Sequence, residues 1–173
     1  MKKHSGMRPL DIVILLQIGL DKGYWFAKDL SYKLKISASE ISESLNRSAI
    51  AGLLSTDKKI LMRSSFLEFL EFGLKYVFPQ KPGALVRGIP TAHSAPPLNK
   101  LLQSNELYVW PYARGEKRGQ SIEPLYKTVP EVSVQDNFLY ELLALTDALR
   151  IGRVREQKIA VEELKKRILV ANI

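Results

Sequence analysis

The sequence predicts a mainly helical α+β protein: helices dominate, with a few short strands. Three observations carry this. Apolar residues recur at helical spacing through residues 10–54 and again through 136–170. Eight of the nine prolines lie between Pro79 and Pro130, so no long helix crosses that stretch. An apolar fraction of 46% is ample for a core. Two regions follow: residues 1–78, and residues 79–173 with strands and loops (79–135) before two closing helices (136–173).

Residues 1–8, MKKHSGMR, read as a short basic tail. Pro9 suits the first turn of a helix. The spacing predicts that helix from Leu10 to Asp21, with Ile12, Leu15, Leu16 and Leu20 inward and Gly23 ending it. Tyr24 and Trp25 read as lids on the core, with ligand stacking as the alternative. Leu30 and Leu34 are four apart and share one face of a second helix. Ile36 falls in a tight turn, where it can plug the angle between two helices. Ile41 and Leu45, again four apart, line the inner face of a third. Ser37-Ala38-Ser39-Glu40 is a capping box that starts this helix sharply: the Ser37 hydroxyl accepts from the Glu40 amide, and the Glu40 carboxylate reaches back to the Ser37 amide.

The exposed face of the third helix is short and polar: Ser39, Ser42, Glu43, Asn46 and Arg47. Asn and Arg pair bidentately with adenine and guanine edges in a major groove, and serines reach phosphates or bases without crowding. Glu40 belongs to the cap. Glu43 would have to read cytosine or point aside.

The run ISASEISESLNR followed by AGLL resembles the helix-turn-helix of bacterial winged-helix transcriptional regulators, including the MarR-like group. The resemblance covers about a third of the chain. It implies a winged helix-turn-helix with a recognition helix over Ser37–Leu53, and Ala51–Leu54 as its passage into the wing. Many such motifs carry Gly in the turn, where Lys35 stands here. The polar turn at residues 55–59 and a short strand Ile60–Arg63 form the candidate wing. Lys58, Lys59 and Arg63 would face phosphates or the minor groove, unless the segment is a plain charged loop. Lys28, Lys33 and Lys35 would meet the flanking backbone, and Ser37 would join Ser39, Ser42, Glu43, Asn46 and Arg47 at the DNA.

Ser65–Glu68 reads as a second capping box, opening a helix from Phe66 to Val77 that is apolar over more than one stripe. Next come loops and short strands, a short helix near Leu98–Gln103, and a hairpin of LYVWPY with SIEPLYKTV turning at ARGEKRG. Arg87, Arg114, Lys117 and Arg118 are a candidate second anion surface, with solvated loop tips as the alternative. Asp136 is a plausible N-cap. Phe138, Leu139, Leu142, Leu143, Leu145 and Leu149 predict a largely buried helix, Gly152 breaks it, and Arg153–Val170 forms the last. The segment RGIPTAHSAPPL and the tail LYELLALTDALR resemble parts of the antitoxins of AbiE-type abortive-infection pairs. That likeness implies a regulator whose C-terminal half handles a partner protein.

The formal charge is +8, which favours an anionic partner. Residues 1–64 hold eleven Lys or Arg against six Asp or Glu, so the excess concentrates on the part that reads as helix-turn-helix. With no cysteine there is no disulfide, thiolate zinc site or thiol catalysis. The N-terminal run IVILLQIGL loosely mimics a signal peptide, but Asp11 and Gln17 interrupt it and it is too short to span a membrane. His93 beside Ser94 suggests a nucleophile and base, yet neighbours in an extended chain point apart and no orienting acid is evident. No glycine-rich phosphate cradle or metal-ligand spacing is present. Trp25, Trp110, Tyr112 and Tyr126 could line an effector pocket or belong to the core.

The expectation is a cytoplasmic, homodimeric, sequence-specific regulator of double-stranded DNA, with no catalytic activity, cofactor or metal. The alternative is a protein-interaction module, such as an antitoxin that masks a partner protein through residues 79–173. An RNA-binding role is disfavoured, because the exposed face of the third helix has no aromatic platform for bases.

Overall fold

The first helix, α1 (Pro9–Leu20), is buried from Leu10 to Gly19. A helix apolar all round must be covered on all sides. Here α2 (Ala27–Leu34) and α3 (Ala38–Ile50) pack on one side and α8 (Asn137–Ile151) on another. The structure, a computed structural model, describes residues 6–21 and 23–169. Residues 1–5 of the expected tail over residues 1–8, with His4, and the last helix's expected end at Val170 lie outside them, whereas Met7 packs against the core. The first helix stops sooner than expected, at Leu20. Asp21 is extended, and its amide closes on the carbonyls of Gln17 and Ile18. Tyr24 is no lid: it is 94% exposed.

In place of one expected helix from Phe66 to Val77 there are two, α4 (Arg63–Phe72) and α5 (Leu74–Val77), broken at Gly73. A Cβ on Gly73 would lie 3.0 Å from the Phe69 ring, so the chain turns closely over that side chain. The Ser65–Glu68 box does not form, because α4 starts three residues earlier, at Arg63. The Arg63 guanidinium explains the early start. It donates to the Gly19 carbonyl (3.1 Å) and the Ile168 carbonyl (2.7 Å). These are the C-terminal ends of α1 and of α9 (Val154–Ile168), where helix dipoles favour a cation.

The proline-rich middle makes a small closed barrel of β1 (Leu85–Pro90), β2 (Tyr108–Pro111) and β3 (Lys117–Ser121). The expected hairpin between 107–112 and 121–129 is absent. The second and third strands run parallel, and β1 pairs antiparallel with both. Part of the expected ARGEKRG turn is itself β3. Glycine permits this closure: a Cβ on Gly88 would sit 1.8 Å from the Trp110 carbonyl oxygen, and one on Gly119 2.4 Å from that of Leu107. A 3-10 turn (Ala92–Ser94) and the short α6 (Leu98–Leu101) join β1 to β2. Residues 122–128 lead to α7 (Val129–Gln135), a helix that the apolar spacing does not predict; Pro130 sits in its first turn.

Asp136 caps α8 as expected, accepting from the Phe138 and Leu139 amides at 3.0 Å each. Leu139, Leu142, Leu143, Leu145 and Leu149 are buried, but Phe138 is exposed. Gly152 ends the helix. In α9 the buried stripe is Ala160, Leu164 and Ile168, while Val154 faces solvent. The protein is therefore mainly helical with a three-stranded sheet. One apolar core runs from Leu10 through Phe66 and Trp110 to Ile168, across the expected 78/79 boundary. Among the described residues, no helix is long and apolar enough to cross a membrane.

A buried polar node pins the barrel to α8. The Asp147 carboxylate, 1% exposed, accepts from Thr91 Oγ1 (2.7 Å), Trp110 Nε1 (2.6 Å) and Arg150 (2.9 Å). Burial pushes the Asp147 carboxyl up, while Arg150, Thr91 and Trp110 pull it back towards the charged form. Arg150 also donates to the Phe78 carbonyl at 3.0 Å. Replacing Arg150→Met leaves the carboxylate without its counter-charge and should cost about 3–5 kcal/mol in urea unfolding. Nearby, the Tyr140 hydroxyl donates to the Pro90 carbonyl (2.6 Å), and burial raises its pKa from 10.0 to about 12. The fold therefore favours the neutral phenol. That contribution is complete below pH 10 and fades as pH rises towards 12. Tyr140→Phe should lose stability less steeply than the parent across that alkaline window, measured by unfolding at fixed pH steps.

Candidate nucleic-acid interface

The turn between α2 and α3 is tightly built. Lys35 takes the left-handed conformation, φ 55°, at the place where glycine is commonest in such turns. Ser31 Oγ donates to the Ile36 carbonyl at 2.6 Å, and Ile36 is buried beneath. Ser37 then caps α3, its hydroxyl accepting from the Glu40 amide (3.3 Å). The Glu40 carboxylate does not reach back to the Ser37 amide as expected. It takes the Ser37 hydroxyl and the Tyr126 hydroxyl, each at 3.1 Å. Tyr126 lies before α7, and two neighbours grip the same turn: Thr128 Oγ1 donates to the Leu34 carbonyl (2.8 Å), and Glu131 pairs with Lys35. The C-terminal region thus helps to set the angle at which α3 leaves the turn.

Along α3, Ser39, Ser42, Glu43 and Asn46 are exposed together, with Ser37 at the start. Ile41, Ser44, Leu45 and Ser48 face the core. Arg47 corrects the expectation: it faces inward and is 6% exposed. Its Nε and terminal nitrogen grip both oxygens of the fully buried Asp11 at 2.9 and 2.7 Å. The Asp11 hydrogen bond, outweighing burial, raises the Arg47 pKa further, so the guanidinium stays charged. Glu43, unaccounted for in the sequence, leans to 3.8 Å from Arg47. The signal that could have revealed this was Asp11 itself, a lone acid in an apolar helix, which demands a cation.

The expected backbone-contacting cations divide into two sets. Lys28, Lys58 and Lys59 form no ion pair among the described residues. Lys33 is paired with Asp21 at 2.8 Å, and Lys35 with Glu131. Arg63 is no part of a wing strand; it begins α4 and points at two helix ends. The segment 54–61 has one bridge, Leu54 to Leu61, rather than a strand over 60–63. It is still an ordered loop. The Ser55 amide donates to the Ile60 carbonyl (2.9 Å), and the Lys59 and Ile60 amides donate to Ser55 Oγ (3.3 and 3.0 Å). Lys58 sits left-handed at its tip, φ 62°. The Ser55 hydroxyl and the Lys59 amide hold the Asp57 carboxyl below its usual range.

The four cations of the candidate second surface do come together. Arg87, Arg114, Lys117 and Arg118 line one cleft of about 520 Å³ on the barrel, with Gly115 and Glu116. The aromatic residues do not gather. Trp110 is buried on Asp147, Tyr126 meets Glu40, and Trp25 lines a groove beside Lys59 and Arg63. His93 and Ser94 face different partners. The ring is buried with Nε2 2.8 Å from the Glu106 carbonyl, and Ser94 Oγ accepts from the Tyr108 amide. Among the described residues no cluster of three His, Asp or Glu could hold a metal.

Comparison with known proteins finds no matching family model, curated protein or solved structure.

Arg47→Ala should cost about 3–5 kcal/mol of stability by stranding Asp11. The paired replacement Asp11→Leu with Arg47→Met should recover most of it. Urea unfolding of these two variants against the parent checks both outcomes.

Proposed function

We propose that this chain is a sequence-specific regulator that binds double-stranded DNA through an N-terminal winged helix-turn-helix. One observation supports it most: α3 leaves a tight turn carrying Ser39, Ser42 and Asn46 on one exposed edge, with Glu43 beside them leaning towards Arg47. Such an edge fits a major groove, with Asn46 bidentate to an adenine and the serines on neighbouring bases or phosphates. Lys28 on α2, and Lys58 and Lys59 in the ordered 54–61 loop, have no ion pair among the described residues and suit the flanking backbone. In this reading the loop takes the place of the wing, and the protein acts in the cytoplasm without catalysis.

A homodimer is part of the proposal. Exposed Phe72, Tyr76 and Val77 at the end of α4 and on α5 suit contact with a second copy, which would read a second half-site about one helical turn away.

Mobility shifts with DNA upstream of the gene, against random competitor, test the reading. Asn46→Ala should cost about 1–3 kcal/mol on the selected site and relax its sequence preference. Lys58→Ala should weaken every duplex alike and lower the salt slope by about 1. Equal losses on selected and random DNA for both variants would remove α3 as the reading helix.

A further inference from the structure

We infer that the cationic cleft on the barrel is a second nucleic-acid contact, binding the phosphodiester backbone of the duplex that α3 reads. It takes its ligand class from the regulator reading above. The register carries the argument. Arg87 stands directly opposite Arg118 across β1 and β3, and Gly88 opposite Lys117. Arg114 joins them from the β2–β3 connection, and all four side chains are exposed around one concavity. Like charges placed opposite one another on a sheet are destabilising. None of the four has an ion pair among the described residues, although Glu116 lines the same cleft.

The support beneath is tight. Added Cβ atoms on Gly88 and Gly115 would both strike backbone, Gly115 within 2.3 Å of the Gly88 carbonyl oxygen. The repulsion is therefore held in place by closely packed strands, and a bound anion would relieve it.

The lining narrows the chemistry. Three guanidiniums present planar forks that match phosphate oxygens two at a time. No aromatic or apolar side chain lines the cleft, so nothing there stacks a base or encloses an uncharged group. The ligand is recognised by its phosphates alone. The chain leaving β3 runs within a few residues to Tyr126 and Thr128, which bond Glu40 in the first turn of α3 and the Leu34 carbonyl at the end of α2. The cleft is thus linked through a short run of chain to the turn before α3.

The test is the full chain carrying Arg87→Gln, Arg114→Gln and Arg118→Gln together, titrated by fluorescence anisotropy with random-sequence duplex across a salt series. Its melting temperature should equal or exceed the parent's, because the opposed charges are gone. Affinity should fall at least tenfold, and the slope of log K against log salt should flatten by roughly 2–3, about 0.9 for each phosphate no longer neutralised. An unchanged slope and affinity would overturn the proposal. So would a variant that keeps DNA binding but no longer binds poly-glutamate, which would assign the cleft to an acidic protein. Asn46→Ala in parallel separates the two readings. Loss only in the triple variant keeps the cleft and discards the α3 reading; loss of preference only in Asn46→Ala does the reverse.

Discussion

The ion pair between Asp11 and Arg47 governs the N-terminal half of this protein. Both groups lie in a region where isolated charge is very unfavourable, and each is the other's main counter-charge, with the Arg8 amide also donating to Asp11 at 2.7 Å. The bidentate geometry leaves little freedom, so it sets how α3 lies against α1. Rotating α3 to free Arg47 would strand Asp11 and turn Ile41 and Leu45 out of the core. The exposed edge of Ser39, Ser42 and Asn46 is a consequence of that lock. The same residue that looks like a base reader in the sequence decides instead which α3 residues face solvent.

A second polar node organises the other half. Asp147 gathers Thr91, Trp110 and Arg150, and Arg150 extends the grip to the Phe78 carbonyl. Strand, loop and helix are joined through one carboxylate whose donors are all supplied by the fold. The halves are also joined. The first helix packs against α8, and Tyr126, Thr128 and Glu131 hold the turn before α3. Any change in the barrel or in α7 therefore has a short mechanical route to α3.

Much of the helical frame is legible in the sequence because it depends on near neighbours. Leu30 and Leu34, and again Ile41 and Leu45, repeat at helical spacing with Ile36 in the turn between, and all five are buried. Ser37 and Asp136 cap as their positions suggest. The break at Gly73 and the early start of α4 are not legible: one depends on Phe69 beneath the glycine, the other on carbonyls of two distant helices. The barrel escapes a local reading for a similar reason. Local pattern pairs neighbouring segments, whereas β1 lies some twenty residues earlier in the chain and takes both partners. The four barrel cations can be picked from the sequence singly, but their meeting in one cleft depends on that pairing.

Periodicity, composition and contacts within one helical turn were enough to establish the class of the protein, the places of most helices, the caps of α3 and α8 and a strong positive charge. Which polar residues face solvent was settled by tertiary packing instead. It turned Arg47 and Arg63 inward and tied Lys33 and Lys35 to acids, while the Lys58 and Lys59 side chains form no ion pair among the described residues. A charge's role depends on whether a counter-charge or a carbonyl lies within reach. For Arg47 and Asp11 that partner is 36 residues away, a distance over which spacing along the chain carries no information.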